Sequence, residues 1–272
     1  MKIAIMTDME GVAGVLNFKD WVEPTGRYYE QGKLLTTEEV NAAVRGFFDA
    51  GADEVVVIDG HGYGGLTPHC LDERALYSRG WAKHYQCGLH DHFDAIAWVG
   101  QHAKSGTIQS HLAHTGSPRV LERRLNGIVV GEFGLGAYIA GFYGVSSIFA
   151  AGERALTTEA KALVPHIHTV EVKYGVTLDD GADCDAKSYE EHNLGAVHLH
   201  PNIARKRIYE GAKNALEQFM HNREAYPPST VNAPYILEEW IRRDGERPAY
   251  KTVRRHDTDL VECAGSPAEI IR

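Results

Sequence analysis

Little in this sequence points to an oxidising compartment, a membrane or a polyanion. Only four of its 272 residues are cysteine, at Cys70, Cys87, Cys184 and Cys263, and no two of them form a Cys-x-x-Cys pair. Such a scatter builds neither a disulfide framework nor a zinc-finger knuckle, so the four read as ordinary reduced thiols. Long apolar runs are missing too: no stretch nears the ~18 apolar residues that a bilayer-crossing helix needs. The opening run Met1 to Thr7 meets an acid at Asp8, which is too short for a secretory signal. The expectation is a soluble, cytoplasmic protein. Positive charge is also scarce, since 28 Lys and Arg against 37 Asp and Glu leave a formal charge of −9. That balance disfavours a nucleic acid or an anionic membrane as partner, and the densest basic cluster, Arg205-Lys206-Arg207, reads as a solvated helix face.

What is present is enough apolar residue, 43%, to bury a large core, in one domain or two unequal ones at a prior of ~150 residues each. Lys2 to Thr7 is an apolar run that ends in Asp8-Met9-Glu10-Gly11, the pattern of a buried strand opening into a loop. The pattern recurs in Glu54 to Asp59 before Gly60-His61-Gly62, in Ala95 to Gly100 before Gln101-His102, and in Gly127 to Val130 before Gly131-Glu132. Between the first two, Thr36 and Glu39 have capping-box spacing, which predicts a helix from about Thr36 that Gly51 closes. Further helices are predicted over 135–143, about 153–163 and 201–219, and strands over 145–150, 170–174, 235–241 and 251–253. Alternation of strand and helix signals predicts an α/β fold: a mainly parallel sheet flanked by helices, with a smaller second α+β lobe. The expected division is a metal-binding core over 1–175 and a C-terminal lobe over 176–272, part of which returns to the core.

In a parallel sheet, ligands gather outside the carboxyl ends of the strands. Asp8, Glu10, His61, His102 and Glu132 all sit at such predicted ends. Each has a plainer reading alone: Asp-x-Glu commonly caps a loop, a histidine between glycines is commonly exposed, and a buried acid is commonly paired inside a structure. Their coincidence at one sheet edge carries the argument. Three carboxylates and two imidazoles without a thiolate suit zinc, manganese, cobalt or ferrous iron. Five donors exceed what one catalytic zinc takes from protein, so two ions sharing a carboxylate is the natural solution.

The motifs Thr7-Asp8-Met9-Glu10-Gly11-Val12-Ala13-Gly14, Asp59-Gly60-His61, Gly100-Gln101-His102-Ala103, Ala113-His114-Thr115 and Gly131-Glu132-Phe133-Gly134-Leu135-Gly136-Ala137-Tyr138, taken in order over residues 1–152, resemble the zinc D-aminopeptidases of peptidase family M55. The resemblance implies two zinc ions per subunit held by Asp8, Glu10, His61, His102 and Glu132. It also implies a catalytic role for His114, as nucleophile in the family's description; acid–base or oxyanion work suits an imidazole there equally well. It further implies a homo-oligomer, such as a decameric ring, and an aminopeptidase that releases N-terminal (D-)amino acids from short peptides or amino acid amides. The other readings are a dinuclear phosphoester or nucleoside hydrolase, which lacks a basic phosphate clamp here apart from Lys104, and a non-catalytic metal- or peptide-binding homologue. Two departures stand out: Gly152-Glu153-Arg154 occupies a place where the family tends to carry Gly-Asp-Asp, and beyond about residue 175 the likeness weakens.

Overall fold

A computed structural model describes residues 1–80, 89 and 92–271. Cys87 lies outside them, and the three other cysteines are free thiols.

The chain builds a seven-stranded sheet in the order β3-β2-β1-β4-β7-β8-β9. Its strands are β1 (Lys2–Thr7), β2 (Glu54–Asp59), β3 (Leu76–Ser78), β4 (Ala95–Gln101), β7 (Ser146–Glu153), β8 (His168–Gly175) and β9 (Ala196–His198). β1 pairs in parallel with β2 through Ile5↔Val57 and with β4 through Ile5↔Ala97; only β9 runs antiparallel. Every residue of β4 and of β7 is buried, as a sheet covered on both sides requires.

One face carries α1 (Tyr29–Asp49) packed along α5 (Pro201–His221), with Val44, Phe47, Ile208 and Phe219 in the core between them and the sheet. The other carries α2 (Glu132–Phe142) and α3 (Arg154–Leu163), around Trp98, Phe133 and Leu156. Pro201 stands in the first turn of α5, where its missing N–H is no loss. Short helices α4 (Ala186–Glu190) and α6 (Leu260–Gly265) complete the set among the described residues. Among the described residues, no helix is long and apolar enough to cross a membrane.

A second sheet is antiparallel, in the order β12-β11-β10-β5-β6. It joins β10 (Tyr235–Ile241), β11 (Tyr250–His256) and β12 (Glu269–Ile271) to the hairpin β5 (Val120–Leu125) and β6 (Ile128–Val129). The two sheets cross the expected border at residue 175 in both directions, since β5 and β6 join the C-terminal strands while β9 and α5 join the first sheet.

Two expectations need correcting. The helix predicted from Thr36 begins at Tyr29. Thr36 is mid-helix, donating its hydroxyl to the Gly32 carbonyl, and the Glu39 carboxylate accepts the N–H of Ala13 instead of capping α1. The run Gly127 to Val130 is not a buried parallel strand: Ile128 and Val129 are exposed at the edge of the second sheet.

Candidate metal centre

The order of the first sheet reverses about β1: β2 and β3 lie to one side, β4, β7 and β8 to the other. A crevice at the carboxyl end of such a sheet, where winding changes direction, is the favoured place for a ligand. Asp8 and Glu10 follow β1 there, His61 follows β2 and His102 follows β4. Glu132 arrives differently, as the first residue of α2.

Glycine makes the convergence possible. A Cβ on Gly11 would lie 1.8 Å from the Gln101 carbonyl oxygen, and one on Gly100, which has φ +77°, would lie 2.0 Å from that of Asp8. The loops after β1 and β4 can pass this closely only without side chains. The Gly11 N–H then donates to Gly100 O at 2.8 Å.

All six residues singled out above come together. Asp8 sits between two imidazoles, with Oδ1 3.1 Å from His61 Nδ1 and Oδ2 3.3 Å from His102 Nε2. Glu10 Oε2 lies 3.4 Å from His61 Nδ1, and Glu132 Oε1 lies 3.5 Å from both His102 Nε2 and His114 Nε2. The donor atoms fall into two triads, Asp8-Glu10-His61 and His102-His114-Glu132. His114 thus stands among the possible ligands, stacked on His102 with ring centroids 4.0 Å apart.

Tautomers follow from the partners. His102 Nδ1 is 2.9 Å from Ala103 O and His114 Nδ1 is 3.0 Å from Leu112 O. A carbonyl only accepts, so both Nδ1 atoms donate, and each Nε2 is left to face carboxylate oxygens. In neutral rings that sets lone pair against lone pair. Glu10 Oε2, His61 Nε2 and His102 Nε2 are buried without a hydrogen-bond partner, a costly arrangement unless something cationic completes it. The ionisation balance agrees. Burial lowers the affinity of His61 and His102 for a proton, but the adjoining Glu10, Asp8 and Glu132 more than reverse this and hold both well above the usual imidazole range. Burial likewise raises Asp8 and Glu132, and their histidine partners bring both well below the usual carboxylate range. His114 goes the other way, lowered by burial and then by His102. Three carboxylates and three imidazoles, gathered in two compact triads and with buried atoms left unpartnered, fit a pair of divalent cations.

The cluster floors a cavity of about 320 Å³, at the small end of ligand sites. Phe18, Tyr63, Glu23, Glu190 and Arg119 line its walls and mouth, none of them singled out by the sequence patterns. Phe18 sets its ring edge-on to His114 with centroids 5.3 Å apart. Lys104, weighed above as a phosphate-binding cation, turns its ammonium towards Glu159 at 3.7 Å.

Two donor triads at the switch point of a doubly wound sheet make a candidate two-metal centre of the kind that metal-assisted hydrolysis uses, and the family follows from comparison with known proteins. Residues 1–246 match the model of peptidase family M55, described as D-aminopeptidase, and the chain belongs to that family. A curated D-aminopeptidase of Bacillus subtilis (strain 168) is 34% identical over 182 residues, covering 65% of each chain, so the match spans just under two thirds of that relative's length. A solved structure described as the Zn-dependent D-aminopeptidase DppA from Bacillus subtilis, a self-compartmentalizing protease, aligns over 97% of this chain and 94% of its own, with a TM-score of 0.80 and 25% identity.

Proposed function

We propose that this protein is a dinuclear zinc aminopeptidase that removes the N-terminal residue, of D configuration in the family's named activity, from short peptides or amino acid amides. The observation that carries the reading is Asp8, whose two carboxylate oxygens face His61 on one side and His102 on the other, the placement of a bridging ligand. Asp8, Glu10 and His61 would hold one ion; His102 and Glu132, with the second oxygen of Asp8, would hold the other. When bound, such a pair supplies Lewis acidity to an amide carbonyl and to the water that attacks it.

The chain's own residues do the rest. His114, anchored through its Nδ1–H on Leu112 O, presents Nε2 to the cavity to hold or move a proton for the departing nitrogen. Phe18 packs against that ring at right angles and helps to fix it. The small cavity suits short substrates, and its acids Glu23 and Glu190 suit a substrate that carries a free ammonium group.

A homo-oligomer with a sequestered site, such as a ring of ten subunits, is part of the proposal, supported by the self-compartmentalizing character of the structural neighbour; so is a cytoplasmic location. The test is to assay the purified protein on D-aminoacyl amides, L-aminoacyl amides and a phosphoester panel, before and after chelation. Amide cleavage lost on chelation and restored by zinc is the expected result. Phosphoester cleavage alone, or amide cleavage indifferent to chelation, would contradict the reading.

A further inference from the structure

Behind the metal cluster lies a second set of charges that the proposed chemistry does not use. Lys173 on β8 is 1% exposed, Glu153 at the end of β7 is 0% and Glu39 on α1 is 1%. Glu153 and Lys173 are register partners across the two strands. Burying an ammonium and two carboxyls is costly, and such groups are often neutral or unfavourable for stability compared with apolar replacements. Their hydrogen bonds show what they hold.

Lys173 donates its ammonium to the backbone carbonyl of Glu10 and, at 3.3 Å, to that of Val15. Glu39 accepts the Ala13 N–H at 3.0 Å, between those two points. Glu153 accepts the N–H of Ala103, next to His102, at 2.8 Å with one oxygen and the N–H of His111 with the other. Three buried side chains from three elements therefore grip the loop that carries Asp8 and Glu10, the residue following His102, and the start of the segment that delivers His114. Burial moves each group towards neutrality, Glu39 up to about 8, Glu153 up to about 7 and Lys173 down to about 8, while mutual attraction opposes it.

We propose that Lys173, Glu153 and Glu39 are positioning residues for the metal centre: they set the backbone of the ligand-bearing loops so that the donor atoms keep the spacing of a two-ion site. This inference rests on the metal-centre reading above. Glu153 is also one of the two residues, with Arg154, at which the chain departs from the Gly-Asp-Asp pattern.

The test is zinc affinity, by competition with a chromophoric chelator, on wild type and on Lys173→Met, Glu153→Gln and Glu39→Met, each checked for folding by circular dichroism and Tm. Loss of a group that orients metal ligands costs ~10–100-fold in metal affinity or activity, so each folded variant should bind at least one zinc about that much more weakly. kcat should fall while KM stays within about twofold. Val172→Ala, at the neighbouring buried position on β8, should lower Tm and leave zinc affinity unchanged. Should Lys173→Met not fold, the two glutamate variants carry the same test. Wild-type zinc affinity in every folded variant, with only Tm altered, overturns the positioning role alone. Failure of the wild type itself to bind zinc overturns the metal-centre reading and this inference with it.

Discussion

His114→Ala is the substitution that best separates a proton-handling histidine from a sixth metal ligand. The imidazole is buried, its Nδ1–H is committed to Leu112 O, and its Nε2 lies 3.5 Å from Glu132 Oε1 and 4.0 Å from Glu10 Oε1. Neutralised by burial and by His102, it is an acceptor at Nε2. Positioned acid–base catalysis contributes about 10²–10⁴-fold, equal to about 2.7–5.4 kcal/mol of barrier at ~1.36 kcal/mol per decade. The variant should therefore retain two zinc ions per chain by elemental analysis and lose kcat by that factor, with KM within about twofold. Full activity would refute any role for His114. Loss of one zinc together with activity would refute the proton-handling role and make the His102-His114-Glu132 triad a complete binding site.

Gly11→Ala puts a methyl 1.8 Å from Gln101 O, so the β1 loop must move; zinc content below two per chain is expected, and wild-type content and activity would show that the close approach is dispensable. Phe149→Ala removes a fully buried ring that meets Phe47 edge-on at 6.2 Å; denaturant unfolding should show a loss of about 3–5 kcal/mol, and a loss under about 1 kcal/mol would mean that this core collapses freely. Glu239 ties β10 to Arg123 on β5 at 2.7 Å and to Arg254 on β11 at 2.8 Å. Burial raises its pKa, but the two guanidiniums bring it below the usual carboxylate range. A group with a depressed folded pKa stabilises fully above its unfolded value of about 4.3, and that contribution fades as pH falls through the folded value. Glu239→Gln should thus be less stable near neutrality and lose less Tm than wild type between about pH 5 and 3; parallel curves would contradict the coupling.

The site was legible because the fold repeats one sentence of sequence: a β-branched or apolar run, then glycine and a donor. Asp8, His61 and His102 could be picked out this way, since a strand buried on both faces reads as a continuous apolar run that stops at a polar residue. Glu132 was found by the same pattern for a different reason. Its preceding Ile128 and Val129 are an exposed hairpin edge, and the acid is instead the first residue of a helix, where a carboxylate is favoured by the unpaired N–H groups. α1 was read seven residues short because Thr36 and Glu39 mimic a cap; tertiary contacts claimed both side chains. β5, Val-Leu-Glu-Arg-Arg-Leu, hides its strand character behind three charges, of which Arg123 pairs with Glu239 on β10 while Glu122 and Arg124 pair with each other, and only its ends are buried. Lys173, Glu39 and Glu153 were beyond sequence reasoning. A lysine in a strand is ordinarily solvated, and only the three-dimensional arrangement shows its ammonium turned inward onto the carbonyls of Glu10 and Val15.

The most direct measurement is the anomalous scattering of crystals grown with zinc, collected on either side of the zinc edge. Two peaks per chain about 3.5–4 Å apart, with Asp8 between them, Glu10 and His61 on one and His102 and Glu132 on the other, are the predicted result. A single peak, or zinc bound away from these side chains, would contradict the account.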